Sequence, residues 1–164
     1  MIIKIDKYTV LIDDNAMIEI IAQQNGSHKK ECGGIILGSV TNDCRIIIRS
    51  IPKATNDNKA SKCSCVRDKR IAQAIIDDVF KRTDGAVTYL GEWHTHPVDV
   101  PTYSSQDQQT IKEQFLLNVI TTEFLLMLII GRKNLELSIY SNKELVSVNK
   151  EIASEHDCIL LSQV

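Results

Sequence analysis

Residues 86–97 read Ala86-Val87-Thr88-Tyr89-Leu90-Gly91-Glu92-Trp93-His94-Thr95-His96-Pro97. The run is rich in β-branched and aromatic residues, which predicts a long strand from Ala86 to His94. Pro97 and Pro101 bound the loop that follows. Side chains alternate across a strand, so His94 and His96 share one face with Glu92, while Trp93 and Thr95 face the other way into a core. Two imidazoles about 7 Å apart along an extended backbone can converge on one ion where the strand ends and bends. Asp107 lies eleven residues past His96, in the first turn of the next expected helix, which starts at Ser104 and ends near Leu117. A strand-to-helix loop of that length can return a carboxylate to the strand end. Two nitrogens, one oxygen and an open fourth position make the ligand set of a catalytic rather than a structural zinc. Neither fragment decides the matter alone. A His-x-His pair arises often by chance. Ser104-Ser105-Gln106-Asp107 also reads as a capping box, which competes with metal ligation for the Asp107 carboxylate.

Outward from this strand the chain reads as an α/β sandwich around a mostly continuous sheet. Tyr8 to Ile12 is a short strand or lead-in. Asp13, Asp14 and Asn15 open a helix with Met17, Ile18, Ile20 and Ile21 at helical spacing, and Asn25-Gly26 closes it. Gly33 to Val40 and Cys44 to Ile51 form an antiparallel hairpin through Thr41-Asn42-Asp43, and Pro52 ends its second strand. Lys53 to Ser64 is polar and without periodicity, a long surface loop of the kind that often carries function. A helix is expected from about Arg67 to Lys81, burying Ile71, Ala74, Ile75, Val79 and Phe80 and closing at Thr83-Asp84-Gly85. Phe124 to Ile130 and Leu135 to Tyr140 form a last hairpin, and Asn142 to Val164 is expected to be one helix with a tail.

The 164 residues suit a single domain spanning 1–164, and neither a repeat nor a linker is apparent. With 43% apolar and only 5% aromatic residues, the core must rest on Ile, Leu and Val. A net charge of -2 carries no nucleic-acid footprint. The N-terminus, with Lys4 and Asp6, lacks the pattern of a secretory signal, and Leu116 to Ile130 is too short and too interrupted to span a membrane. These features lead us to expect a soluble cytoplasmic protein. The five cysteines, at 32, 44, 63, 65 and 158, suit reduced thiols better than a disulfide framework. Cys63-Ser64-Cys65 lacks the spacing of a zinc ribbon. His28 and His156 stand in polar surroundings and read as surface residues, and Asp99 reads as a loop charge.

Taken together, these residues resemble a known family. His94-Thr95-His96-Pro97, six residues, then Ser104-Ser105-Gln106-Asp107 resembles the H-[ST]-H-P-x6-S-x-x-D core of the JAB/MPN/Mov34 metalloenzymes, the JAMM isopeptidases. Glu31-Cys32-Gly33-Gly34-Ile35-Ile36-Leu37-Gly38 is similar to the family strand that carries a catalytic glutamate. Val66-Arg67-Asp68 resembles the Arg-Asp pair that opens the second helix in bacterial members. The resemblance covers roughly Asn15 to Tyr140 and implies a cytidine-deaminase-like sandwich, a central mixed sheet flanked by helices. It implies that His94, His96 and Asp107 hold one zinc with a bound water, that Glu31 is the general base, and that Ser104 helps stabilise the tetrahedral oxyanion. Glu92 is a candidate supporting residue behind these ligands.

Small bacterial members of this kind resemble deconjugating isopeptidases encoded beside ubiquitin-activating and -conjugating-like enzymes. Some of these belong to antiphage systems built around a nucleotide-signal synthase (CBASS). The resemblance therefore implies a deubiquitinase-like zinc isopeptidase that cleaves after the C-terminus of a protein joined to a lysine amine. No nucleic-acid or membrane partner is expected. The substrate tail would be extended, adding alongside a sheet edge, with the loop Lys53 to Ser64 as the flap that holds it. Three alternatives stay open: a processing peptidase for a ubiquitin-like or sulfur-carrier precursor, a non-catalytic MPN-type binding module, and a nucleotide deaminase. The last lacks the His-x-Glu and Pro-Cys-x-x-Cys it would need.

Overall fold

The structure, a computed structural model, describes residues 1–26, 31–54, 68–118 and 120–152. Among them the order is β1 (Ile2–Ile5), β2 (Tyr8–Ile12), α1 (Asp14–Gly26), β3 (Gly33–Val40), β4 (Arg45–Ser50) and α2 (Lys69–Arg82). Then follow β5 (Thr88–Thr95), α3 (Ser105–Leu117), β6 (Phe124–Ile130), β7 (Asn134–Ser141) and β8 (Glu144–Glu151). All the strands join one mixed sheet in the order β1-β2-β4-β3-β5-β6-β7-β8. This is the expected central mixed sheet flanked by helices.

Alternation along the strands divides the core into two faces. Leu126, Leu128 and Ile130 of β6 pack with Met17, Ile20 and Ile21 of α1 and with Trp93 of β5. Leu125, Met127 and Ile129 point the other way, against Ile111 of α3. Ile35 and Leu37 of β3 meet Ala72, Ile75, Ile76 and Val79 of α2, and Tyr89 belongs to both of these clusters. One face of the sheet therefore carries α1, and the other carries α2 and α3 with a groove between them. The buried stripe of α2 is 72, 75, 76 and 79, the i, i+3, i+4, i+7 pattern of a one-sided helix. Ile71 and Phe80, expected inside, flank that stripe and are 40% and 47% exposed, and Ala74 is also exposed.

Two strands depart from the sequence expectation. β1 pairs antiparallel with β2 at one edge of the sheet. β8 pairs along the whole of β7 at the other edge, in place of the helix expected from Asn142. Asn142 and Lys143 both have positive φ, 50° and 68°, the requirement of a two-residue turn between antiparallel strands. In β8 Leu145, Ser147 and Asn149 alternate with Val146, Val148 and Lys150, so neither side is uniformly apolar and the alternation signal is weak, which leaves the turn as the cue. The part of the expected helix beyond residue 152 lies outside the described residues, as do His28, Cys63, Cys65, His156 and Cys158.

β5 is the centre of the assembly. It runs antiparallel to β3, with Gly33 opposite His94, and parallel to β6, with His94 opposite Ile129. The β3–β5 register shifts between Ile36 and Leu37, beside Gly91. Gly91 has φ +154°, and a Cβ there would lie 1.9 Å from the Leu126 carbonyl oxygen. Only glycine lets β5 approach β6 at this bulge. Gly91→Ala is expected to cost about 3 kcal/mol or more of stability, read as a lower denaturation midpoint.

Candidate metal centre

The three ligand candidates meet at the C-terminal end of β5. His94 Nε2 lies 3.1 Å from His96 Nε2 and 3.2 Å from Asp107 Oδ1, and His96 Nε2 lies 3.9 Å from Asp107 Oδ2. Ligand atoms about 2.0–2.1 Å from a tetrahedral ion stand roughly 3.3 Å from one another. The His94–His96 and His94–Asp107 separations are close to that value, His96 is farther from the carboxylate, and one ligand atom from each residue lies within 4.8 Å of the others. Two neutral imidazoles and a carboxylate are the donors that such an ion takes, and the residues present fit it.

Local structure explains how the cluster forms. The His96 N–H donates to Ile130 O at 3.0 Å, carrying the chain beyond β5 along β6 and holding the second imidazole toward the first. Asp107 is the third residue of α3, whose N-cap is Ser104 in a reciprocal capping box. The two readings of Asp107 prove compatible because its oxygens divide the work. Oδ2 accepts from the Ser104 N–H at 2.7 Å and the Ser104 hydroxyl at 2.6 Å, while Oδ1 faces His94. Burial pushes the Asp107 carboxyl up, but the bonds from His94 and Ser104 outweigh it and hold the group well below the usual range. Burial, helped by His94 and opposed by Asp107, pushes His96 down. The anionic carboxylate and neutral His96 that result are the protonation states ligation needs.

Trp93 and Thr95 lie in the core as alternation requires, each 1% exposed. Thr95 also has a role that sequence reasoning misses. Its N–H donates to Cys32 O at 2.9 Å, and its hydroxyl oxygen accepts from the Cys32 N–H at 3.0 Å. The residue between the two histidines thus clamps the chain next to Glu31, which lines the same cavity as His94, His96, Ser104 and Asp107. Burial pushes the Glu31 carboxyl above its usual range, an effect that His94 counters and Asp107 reinforces. Glu92 lines this cavity too and accepts from the Tyr89 hydroxyl at 3.3 Å. The cavity, of about 450 Å³, runs between β5 and α3, past Gln106, Thr110 and Gln114. Asp99 is ion-paired, 2.6 Å from Lys133 Nζ.

Asp68 caps α2 by accepting from the N–H groups of Arg70 and Ile71, which starts that helix at Lys69 rather than Arg67. Arg67 and most of the Lys53 to Ser64 loop lie outside the described residues. Of that loop, Lys53 bridges to Gly34, and Ala54 is buried.

His94→Ala or His96→Ala is expected to bring the bound divalent metal of purified protein close to zero by elemental analysis, with the fold retained by circular dichroism. Ser104→Ala removes both the cap and a bond to Asp107, and is expected to cost about 1 kcal/mol of stability in chemical denaturation.

Known proteins that resemble this chain agree with the geometry. The family model described as prokaryotic homologues of the JAB domain, Prok-JAB, matches residues 13–142. The CD-NTase/cGAS isopeptidase of Escherichia coli is 26% identical over 149 residues, covering 91% of this chain and 92% of that protein. Its namesake from Vibrio cholerae is 31% identical over 124 residues, 76% of each chain. Among solved structures, that of protein DSY2949 from Desulfitobacterium hafniense superposes with a TM-score of 0.61 at 18% identity. It covers 87% of this chain and 90% of its own, a likeness of fold. No helix among the described residues is long and apolar enough to cross a membrane. The chain is a member of the prokaryotic JAB-domain family.

Proposed function

We propose that this chain is a hydrolase of the JAMM metalloprotease type, a zinc-dependent isopeptidase that releases a protein from the lysine to which its C-terminus is joined. The reading extends to a deconjugating role in a CBASS antiphage system, on CD-NTase conjugates. The names of the Escherichia coli and Vibrio cholerae relatives support it. The observation that carries it is the convergence of His94, His96 and Asp107 in one cavity with Glu31. A non-catalytic module has no need of that arrangement.

Bound zinc would supply Lewis-acid polarisation of the scissile carbonyl and would lower the pKa of a bound water toward neutrality. The chain's own residues do the rest. Glu31, its carboxyl raised toward the working pH, takes a proton from the attacking water and delivers it to the leaving lysine amine. The Ser104 hydroxyl donates to Asp107 as the site stands. Turned toward the substrate it donates to the carbonyl oxygen as charge develops there, exchanging one acceptor for another. Asp107 and the imidazoles stay fixed by the cap and by strand β5.

Among the described residues the sheet edges are β1 and β8, while the two histidines stand at the C-terminal end of β5 in the middle of the sheet, facing Asp107 of α3. The cavity between β5 and α3, lined by Gly33 and Gly34 on one side and by Thr110 and Gln114 on the other, supports a substrate tail lying in a groove instead of along an edge. The part of the flap loop that would close over it lies outside the described residues.

The deciding comparison is wild type against Glu31→Gln on a lysine-linked conjugate. Cleavage is expected to fall by about 10²–10⁴-fold with the metal retained, because the base is lost and no ligand is touched. Equal rates for the two proteins would overturn the role of Glu31. Chelation should abolish cleavage and added zinc should restore it; activity that survives complete metal removal would overturn the metalloprotease reading.

A further inference from the structure

β7 carries one charged residue, and it is buried. Glu136, 4% exposed, shares the α3 face of the sheet with Ser138 and Tyr140 and stands opposite Ile129 of β6 and Asn149 of β8. A carboxylate placed there loses its hydration, and a sheet interior is as well or better served by an apolar side chain. The bond it makes is specific. Oε2 accepts from the backbone N–H of Tyr103 at 2.5 Å. Tyr103 immediately precedes Ser104, the N-cap of α3, and so lies on the segment that delivers Asp107.

That segment has to be held, because it joins the second imidazole to the carboxylate and has no regular structure from His96 to Ser104. It is tied along its length to the β6–β7–β8 side of the sheet. Val98 O accepts from the Arg132 N–H at 2.7 Å, and Asp99 O accepts from the N–H groups of Lys133 and Asn134 at 3.0 and 3.1 Å. Pro101 O accepts from Asn149 Nδ2 at 2.8 Å. The bond from Tyr103 to Glu136 is the last of these ties before the helix, and its acceptor is a buried side chain, where water does not compete for the N–H.

The geometry points to Glu136 as a positioning residue for the metal centre, one that sets where Ser104 and Asp107 stand relative to His94 and His96 by anchoring the Tyr103 N–H. It touches neither metal nor substrate. Groups that orient ligands from behind are worth about 10–100-fold in metal affinity or activity, and a displacement of about 1 Å at a reacting group costs a comparable factor in rate. The inference depends on the isopeptidase reading for its kinetic arm and only on metal binding for the other.

The test uses the full chain with Glu136→Gln, Glu136→Leu and Glu136→Asp. Gln keeps an acceptor oxygen at the same reach, Leu removes it, and Asp keeps the charge but withdraws it. Zinc affinity is measured by competition with a chelating dye, the ligand field by the absorption spectrum of the cobalt-substituted protein, and kcat on a lysine-linked conjugate. Glu136→Leu is expected to lose about 10–100-fold in zinc affinity and in kcat, with a changed cobalt spectrum and little change in KM. Glu136→Gln is expected to stay within about 3-fold of wild type on each measure. If Glu136→Leu does not fold, Glu136→Asp carries the test, with a loss of zinc affinity and an altered spectrum. Ile3→Ala, in the core on the α1 face of the sheet and away from the metal centre, controls for general destabilisation and is expected to lower Tm without moving the spectrum. Wild-type zinc affinity and spectrum in the Leu or Asp variant overturn the inference, as does a Gln variant as impaired as Leu. Absence of cleavage by the wild-type protein, with the zinc affinities still ordered as expected, overturns the isopeptidase reading and leaves the anchoring role standing.

Discussion

The pairing of β5 between β3 and β6 is the constraint on which the rest of the molecule depends. A strand held on both edges has no freedom to slip, because a shift by one residue would turn every side chain to the opposite face. Here such a slip would bury both histidines and expose Trp93 and Thr95. The hydrophobic demand of the α1 side of the sheet therefore fixes the imidazoles on the other side, and the ligand geometry is inherited from core packing. Gly91 admits the close approach that the pairing requires.

From β5 the control spreads through hydrogen bonds instead of packing. Thr95 faces away from the metal centre, yet its hydroxyl and N–H secure Cys32 and so place Glu31 in the cavity. On the far side the capping box of α3 holds one oxygen of Asp107 and leaves the other for His94. The same small motif both starts a helix and orients a ligand. Burial alone would favour the neutral acid, and it is the bonds from His94 and Ser104 that hold the carboxylate of Asp107 ionised.

What can be read in the sequence follows from how local each signal is. Alternation over Glu92 to His96 and the Ser104–Asp107 box are local, and both are legible in the residues alone. Glu31 is joined to them only through strand pairing, so its residue type cannot single it out; a resemblance to a family supplies it. Thr95 reads as a core residue, which it is, but its bond to Cys32 crosses 63 residues of sequence and leaves no periodic trace. The segment that forms β8 reads as a helix because both of its sides mix polar and apolar residues and because Asn142-Lys143 is a less familiar turn pair than Asn-Gly. Ile71 and Phe80 illustrate the opposite error, where apolar character suggests burial although both lie beside the contact stripe of α2.

The division of the site along the chain has a consequence for the order in which it can be assembled. All three candidate ligands fall between residues 94 and 107, so gathering them closes only a short loop, held by the neighbouring strands β6, β7 and β8. Glu31 arrives through pairing across a much longer separation, which carries the larger closure entropy. The ligand set can therefore form once the β5–β8 part of the sheet is in place, before the pairing with β3 brings Glu31 to it. Hydrolytic competence would then mark the completed sheet, while ion capture would mark only that part of it.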